Sequence, residues 1–144
     1  MRSAVWVFVA CLVATSVLGA CSDSPQNGGG RPVTLAGTSW RVISVDGKAP
    51  VPGAEPTAMF GADQVRGSGS CNSYGGAYRF DPATGEIEFQ NLGMTAMACA
   101  EQARNEYEGV FSAALVRASS ASFDSDGRLV LSGPGGRIVL VPAG

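Results

Sequence analysis

The 144-residue sequence predicts a mainly β domain: eight antiparallel strands wrapped around a single core, as a barrel or a sandwich, with one α-helix packed on them. Three observations carry that prediction. From Leu35 onward, short β-prone runs follow one another, separated by clusters of Gly, Asp and Pro. Within the runs apolar and polar residues alternate, so that Tyr78 and Phe80, Ile87 and Phe89, Leu129 and Leu131, and Ile138 and Leu140 share an inward parity. Arg79, Glu86, Glu88, Arg128 and Arg137 fall on the outward parity. Only one segment shows helical spacing instead.

The elements follow in order. A strand over 38–45 runs into Asp46-Gly47 and a loop holding Pro50, Pro52 and Pro56. Strands 57–60 and 64–71 meet across Gly61-Ala62-Asp63. Strands 77–80 and 86–90 meet across Asp81-Pro82-Ala83-Thr84-Gly85, where proline presets φ and glycine takes a left-handed position. The helix spans 101–117, with Ala103, Tyr107, Val110, Phe111, Ala114 and Leu115 on an apolar stripe. Glu101, Asn105, Glu108 and Ser112 face the other way, so the helix is expected to cover an open end or edge of the sheet. Strands 119–123, 128–132 and 137–141 follow, joined by Asp124-Ser125-Asp126-Gly127 and Gly133-Pro134-Gly135-Gly136. Trp40 reads as a large core anchor; in an open barrel it would line a pocket with Tyr78 or Tyr107.

The first twenty residues read as an export signal. Arg2 is followed by an apolar run from Ala4 to Leu18, short of the roughly 20 residues that span a bilayer. It ends in Leu18-Gly19-Ala20-Cys21, which resembles a bacterial lipobox, in which the cysteine thiol is acylated and becomes the new N-terminus. The competing reading is an unlipidated secreted protein. Cys11 is a discarded hydrophobic residue in either case. At roughly 0.8 kcal/mol per buried CH₂, two or three acyl chains on Cys21 make a permanent anchor. Residues 21–34 hold almost no aliphatic side chain and are expected to form a flexible tether, with a coil dimension on the order of 20 Å. The folded domain, 35–144, then sits at the cell envelope on the extracytoplasmic side of the cell membrane or the outer membrane.

Composition excludes several functions. Apolar residues make up 45% and charged residues 15%, which suits a packed core and not a disordered chain. Nine cations would remain against twelve acids once Arg2 is removed, too few and too dispersed for a nucleic-acid surface. Histidine is absent, which removes Ser-His-Asp and Cys-His catalysis and the usual zinc ligands. Lys48 is the only lysine, in a turn, and Ser44-x-x-x-Lys48 lacks the Ser-x-x-Lys spacing of Ser-Lys hydrolases.

Cys71 and Cys99 are the thiols of the body, and two cysteines in an oxidising compartment are expected to pair. The alternatives are two free buried cysteines or a two-thiolate metal site. The residues around them carry a resemblance. Leu35-x-Gly37-Thr38-x-Trp40, Gly69-Ser70-Cys71-Asn72-x-Tyr74-x-Gly76-x-Tyr78, Met94-Thr95-x-Met97-Ala98-Cys99 and Glu106-Tyr107 resemble the META domain of HslJ-type lipoproteins over about 35–141. The resemblance implies an eight-stranded, lipocalin-like partial barrel with one packed helix. It also implies a part in stress or drug tolerance of the envelope, without a known reaction or ligand.

The remaining motifs have plain readings. The glycine-rich run Gly67–Gly76 lacks the Lys-Ser/Thr of a phosphate-binding loop, and tight strand crossings account for its glycines. Met59, Met94, Met97 and Cys99 offer soft ligands for Cu(I), but methionine usually fills core gaps. Glu86 and Glu88 are a solvated face, and Asp124-Ser125-Asp126-Gly127 is a turn without the remaining ligands of a calcium loop. No catalytic residue, cofactor or metal is therefore expected. The expected role is a non-enzymatic protective or accessory one, through binding a protein partner or a small hydrophobic ligand. Inhibition of an extracytoplasmic protease and carriage of a ligand in the barrel are the specific alternatives. The expected contact surfaces are the 48–56 loop and the segment from Asn72 to Tyr78, notably Asn72, Ser73 and Tyr74.

Overall fold

The computed structural model describes residues 34–144; the segments expected to be an export signal and, up to residue 33, a tether, with Cys21, lie outside the described residues. The described residues form eight strands and one helix: β1 (Thr38–Val45), β2 (Thr57–Phe60), β3 (Gln64–Ser68), β4 (Ser73–Phe80), β5 (Ile87–Met94), α1 (Gln102–Val116), β6 (Ser120–Phe123), β7 (Leu129–Gly133) and β8 (Gly136–Pro142). They form one antiparallel sheet in the order β5-β4-β3-β2-β1-β8-β7-β6. The outer strands approach each other at one end. There Ala121 N donates to Gly85 O (2.8 Å) and Ile87 N to Ser119 O (3.2 Å). The sheet is thus a curled half-barrel, nearly closed at the start of β5 and open toward its end, and α1 packs on β1, β5, β7 and β8.

Two β-bulges explain where simple alternation fails. The register of β1 on β8 shifts between Val42 and Ser44, so Trp40 and Val42 point inward and then Val45, three residues on, does so again. The β4–β5 register shifts between Gly75 and Ala77, with Asn91 at φ +52°, and Leu92 instead of Asn91 returns to the core after Ile87 and Phe89. Gly76 makes this second bulge possible: a Cβ there would fall 2.8 Å from Gln90 O.

The boundaries differ from expectation around the β3–β4 hairpin and at the end of β5, which runs on to Met94 instead of stopping at 90. β3 stops at Ser68 and β4 starts at Ser73, because Gly69 N donates to Asn72 O (2.7 Å) and closes a tight hairpin. Gly75 and Gly76, which lie before the expected strand start at 77, are paired residues of β4.

The interior is filled with side chains. Leu129, Leu131 and Ile138 are fully buried, and Val42, Phe60, Val65, Phe111 and Leu140 nearly so. Aromatic rings meet across the core: Trp40 with Phe123 at 5.6 Å, Phe60 with Tyr78 at 5.0 Å and Tyr74 with Phe111 at 5.8 Å. Trp40 is the core anchor of the two readings, its indole N–H donating to Thr38 Oγ1 (2.7 Å). Methionine, expected as core filler, is not: Met59, Met94 and Met97 are all solvent-exposed. No helix among the described residues is long and apolar enough to cross a membrane.

Candidate functional site

The densest polar chemistry lies where α1 meets the β3–β4 hairpin and the segment between β5 and α1. Arg104, Asn105, Glu108 and Ser112 share one helix face by their spacing. Sequence alternation assigned Asn105, Glu108 and Ser112 to solvent. Glu108 is in fact buried, only 6% exposed, while Ala103 and Val110 of the expected apolar stripe are exposed. The helix therefore uses two faces, an apolar one (Tyr107, Phe111, Ala114, Leu115) for the barrel and a polar one for the loops.

Glu108 Oε1 accepts three consecutive backbone N–H groups, from Ser70 (2.7 Å), Cys71 (3.0 Å) and Asn72 (2.8 Å). Its Oε2 accepts the Asn72 side-chain amide at 2.6 Å. The glycine-rich run does cradle an anion, and the anion is the protein's own carboxylate. Gly69 is required beside it: a Cβ there would lie 3.0 Å from Glu108 Cγ and closer still to Oε1. Burial opposes the charged form of Glu108, but the N–H groups of Ser70, Asn72 and Cys71 and the Asn72 amide outweigh it and hold the carboxyl below its ordinary value.

Asn72 extends the network to the second loop. Its Oδ1 accepts from Met97 N (2.7 Å) and Thr95 Oγ1 (2.8 Å), and its Nδ2 also donates to Met97 O (2.9 Å). Asn105 brackets Cys99, accepting from its N–H (2.8 Å) and donating to its carbonyl (3.1 Å). Arg104 donates to Ser70 O (2.9 Å). Cys71 and Cys99 are joined as a disulfide with Cα atoms 5.6 Å apart. Closing this 28-residue loop contributes about 3.5 kcal/mol in the chain-entropy model. Urea unfolding with and without reductant is expected to show a loss of that order; an unchanged midpoint would refute it.

Two residues of the expected contact surface are thus structural. Asn72 is buried because its amide ties two loops to Glu108, and Tyr74 is buried because its ring packs on Phe111 and its hydroxyl donates to Thr57 O (2.7 Å). Burial raises the Tyr74 hydroxyl pKa far above its ordinary value. Ser73 is exposed, as are Lys48, Pro52 and Glu55 of the proline-rich loop. Exposed Glu86 and Glu88 stand on the outer face, and Asp124 accepts from Asp126 N and Arg128 N as a turn residue does. Met59 lies on β2, three strands from β5 in the sheet order, so the methionines do not converge on one soft site. Glu108, at the centre of this network, was the side chain that sequence reasoning missed. Its signal was present in a run of small residues, Gly69-Ser70-Cys71, whose free amides need an acceptor.

The fold has relatives. The model of the META domain matches residues 33–143. This chain belongs to the META domain family. Among solved structures, a protein from Burkholderia xenovorans determined by NMR is 25% identical with a TM-score of 0.59, covering 76% of this chain and 83% of its own. A second NMR structure, 24% identical with a TM-score of 0.61, covers 75% and 93%, and shows the same fold. A DUF4847 family protein from Bacteroides vulgatus, 19% identical with a TM-score of 0.50, covers 74% and 93% and likewise shows the fold alone. No curated protein matches. The META domain of this chain is thus a curled half-barrel whose helix holds one loop through the Glu108 carboxylate and the other through the Asn105 amide, while the Cys71–Cys99 disulfide joins the two loops to each other.

Proposed function

We propose that this META domain is the body of a non-enzymatic, lipid-anchored envelope protein that protects or assists by binding another protein through its outer loops. The filled interior carries this reading. A core occupied by Trp40, Phe60, Tyr74, Tyr78 and Phe111 at no more than 6% exposure leaves binding to the outside of the barrel and speaks against a carried hydrophobic ligand. Glu108, the one buried carboxylate among the described residues, is not set up for acid–base work. An acid or base at neutral pH needs a carboxyl raised toward 7, whereas Glu108 is shifted the other way and its oxygens are engaged by four donors. The loop network holds Met97, 61% exposed, and Met94 on a rigid backing, as an adaptable apolar contact requires. Acylation of Cys21 would place that surface at the membrane.

The test is native mass spectrometry of the protein freed from its own envelope in mild detergent, followed by crosslinking. The expected result is the mass of the acylated chain carrying one disulfide, with a protein crosslinked through the 48–56 loop or the Met94–Met97 segment. An extra small-molecule mass lost on unfolding would overturn the filled-barrel reading. An unacylated chain in the soluble fraction would overturn the anchor.

A further inference from the structure

The disulfide corner holds more than a cross-link. The ligand atoms of Cys71, Cys99 and Glu108 all lie within 4.8 Å of one another. The two cysteine backbones are also held independently of the bond between their sulfurs. Cys71 N donates to Glu108 Oε1 (3.0 Å), and Cys99 is bracketed by Asn105, one helical turn from Glu108 on the same helix. Breaking the S–S bond therefore leaves both thiols in place. Oε1 has three donors but Oε2 only the Asn72 amide, so Oε2 keeps a lone pair.

We propose that reduction converts this corner into a divalent-metal site for a thiophilic ion such as Zn²⁺ or Cd²⁺, with Cys71 Sγ, Cys99 Sγ and the Glu108 carboxylate as ligands and a fourth position left to water. A dithiol reductant delivers two electrons and two protons to the disulfide and is itself oxidised to a disulfide. The two thiols then release their protons to water as the metal–sulfur bonds form. The geometry is within reach. At ordinary zinc bond lengths the sulfurs stand about 3.8 Å apart, roughly 1.8 Å beyond their bonded separation, and each sulfur about 3.6 Å from the carboxylate oxygen, inside the 4.8 Å that bounds the three ligand atoms. Two thiolates and a carboxylate leave the occupied site with one net negative charge, and the Arg104 guanidinium, 2.9 Å from Ser70 O, flanks it. The oxidised protein is closed to metal, so the site is gated by redox state. It is independent of the anchor.

The test uses the full chain in detergent with Cys11→Ser and Cys21→Ser, so that only Cys71 and Cys99 supply thiols. The protein is reduced with a phosphine and titrated with Cd²⁺ or Zn²⁺ alone. The expected result is one metal per reduced chain, with the ultraviolet charge-transfer band of a cadmium thiolate, and none per oxidised chain. Metal is also expected to raise the melting temperature of the reduced protein, because it binds the folded state. Cys99→Ser, which leaves the Glu108 network intact, is expected to abolish uptake, and Glu108→Gln to weaken it about tenfold or more. Equal uptake by oxidised and reduced protein would overturn the site. So would uptake that leaves the melting temperature unchanged, since that is the behaviour of thiols in an unfolded chain.

Discussion

Replacing Glu108 with alanine is expected to cost about 3–5 kcal/mol, as removing one side of a buried charged network does. The side chain is nearly buried and satisfies three backbone N–H groups and one side-chain amide. Alanine leaves those four donors facing a void, and each buried donor without a partner costs roughly 1–3 kcal/mol, less where water enters. Urea unfolding of the oxidised protein is the measurement; a loss under about 1 kcal/mol would show that the loops are held by the disulfide alone. The network also has a pH signature. The folded carboxyl lies below its ordinary 4.5, so the unfolded chain binds the proton more readily. The stabilisation is present in full above about pH 4.5 and is lost as the pH falls through the lowered folded value. Glu108→Gln is expected to flatten that acid limb. The part due to Asp124 remains, because Arg128 and two backbone N–H groups outweigh its desolvation and also lower its carboxyl. An acid limb unchanged by Glu108→Gln would mean that other carboxylates dominate acid unfolding.

Phe111→Ala is expected to have an effect of the same size, about 3–5 kcal/mol. Phe111 is 1% exposed and stands 5.8 Å, centroid to centroid, from Tyr74, at the place where the helix enters the open side of the barrel. Truncation removes the apolar contact and leaves a cavity that a sheet on one side and a helix on the other can only partly close. The neighbouring Val110→Ala is the internal control. Val110 is 46% exposed, so its truncation is expected to change stability by no more than about 0.5 kcal/mol. Equal effects of the two substitutions would mean that the helix is rotated relative to the orientation described.

These two residues also mark the boundary between what the chain reveals on its own and what it does not. The eight strands, the single helix, their order and most inward residues were determined by sequence alone, because a hairpin sheet repeats a period of two and turn chemistry is local. Ile138 and Leu140 were assigned inward by that logic and are buried. The likeness of the Gly69–Tyr78 and Met94–Cys99 segments to a known domain family was legible for the same reason: it depends on residue types in order. The bulges at Ile43 and Asn91 were not legible. An extra residue shifts parity only through the partner strand opposite it, and no signal within the strand itself announces it. Glu108 was misplaced because a helical stripe ranks residues by polarity, and a carboxylate scores as solvent-facing whether water or protein amides receive it. Only the tertiary structure decided that. It brought the free N–H groups of Ser70, Cys71 and Asn72, 36–38 residues away in sequence, onto one oxygen. Asn72 and Tyr74 left the surface for the same physical reason: a buried polar group must find its partner, and here every partner comes from a distant part of the chain.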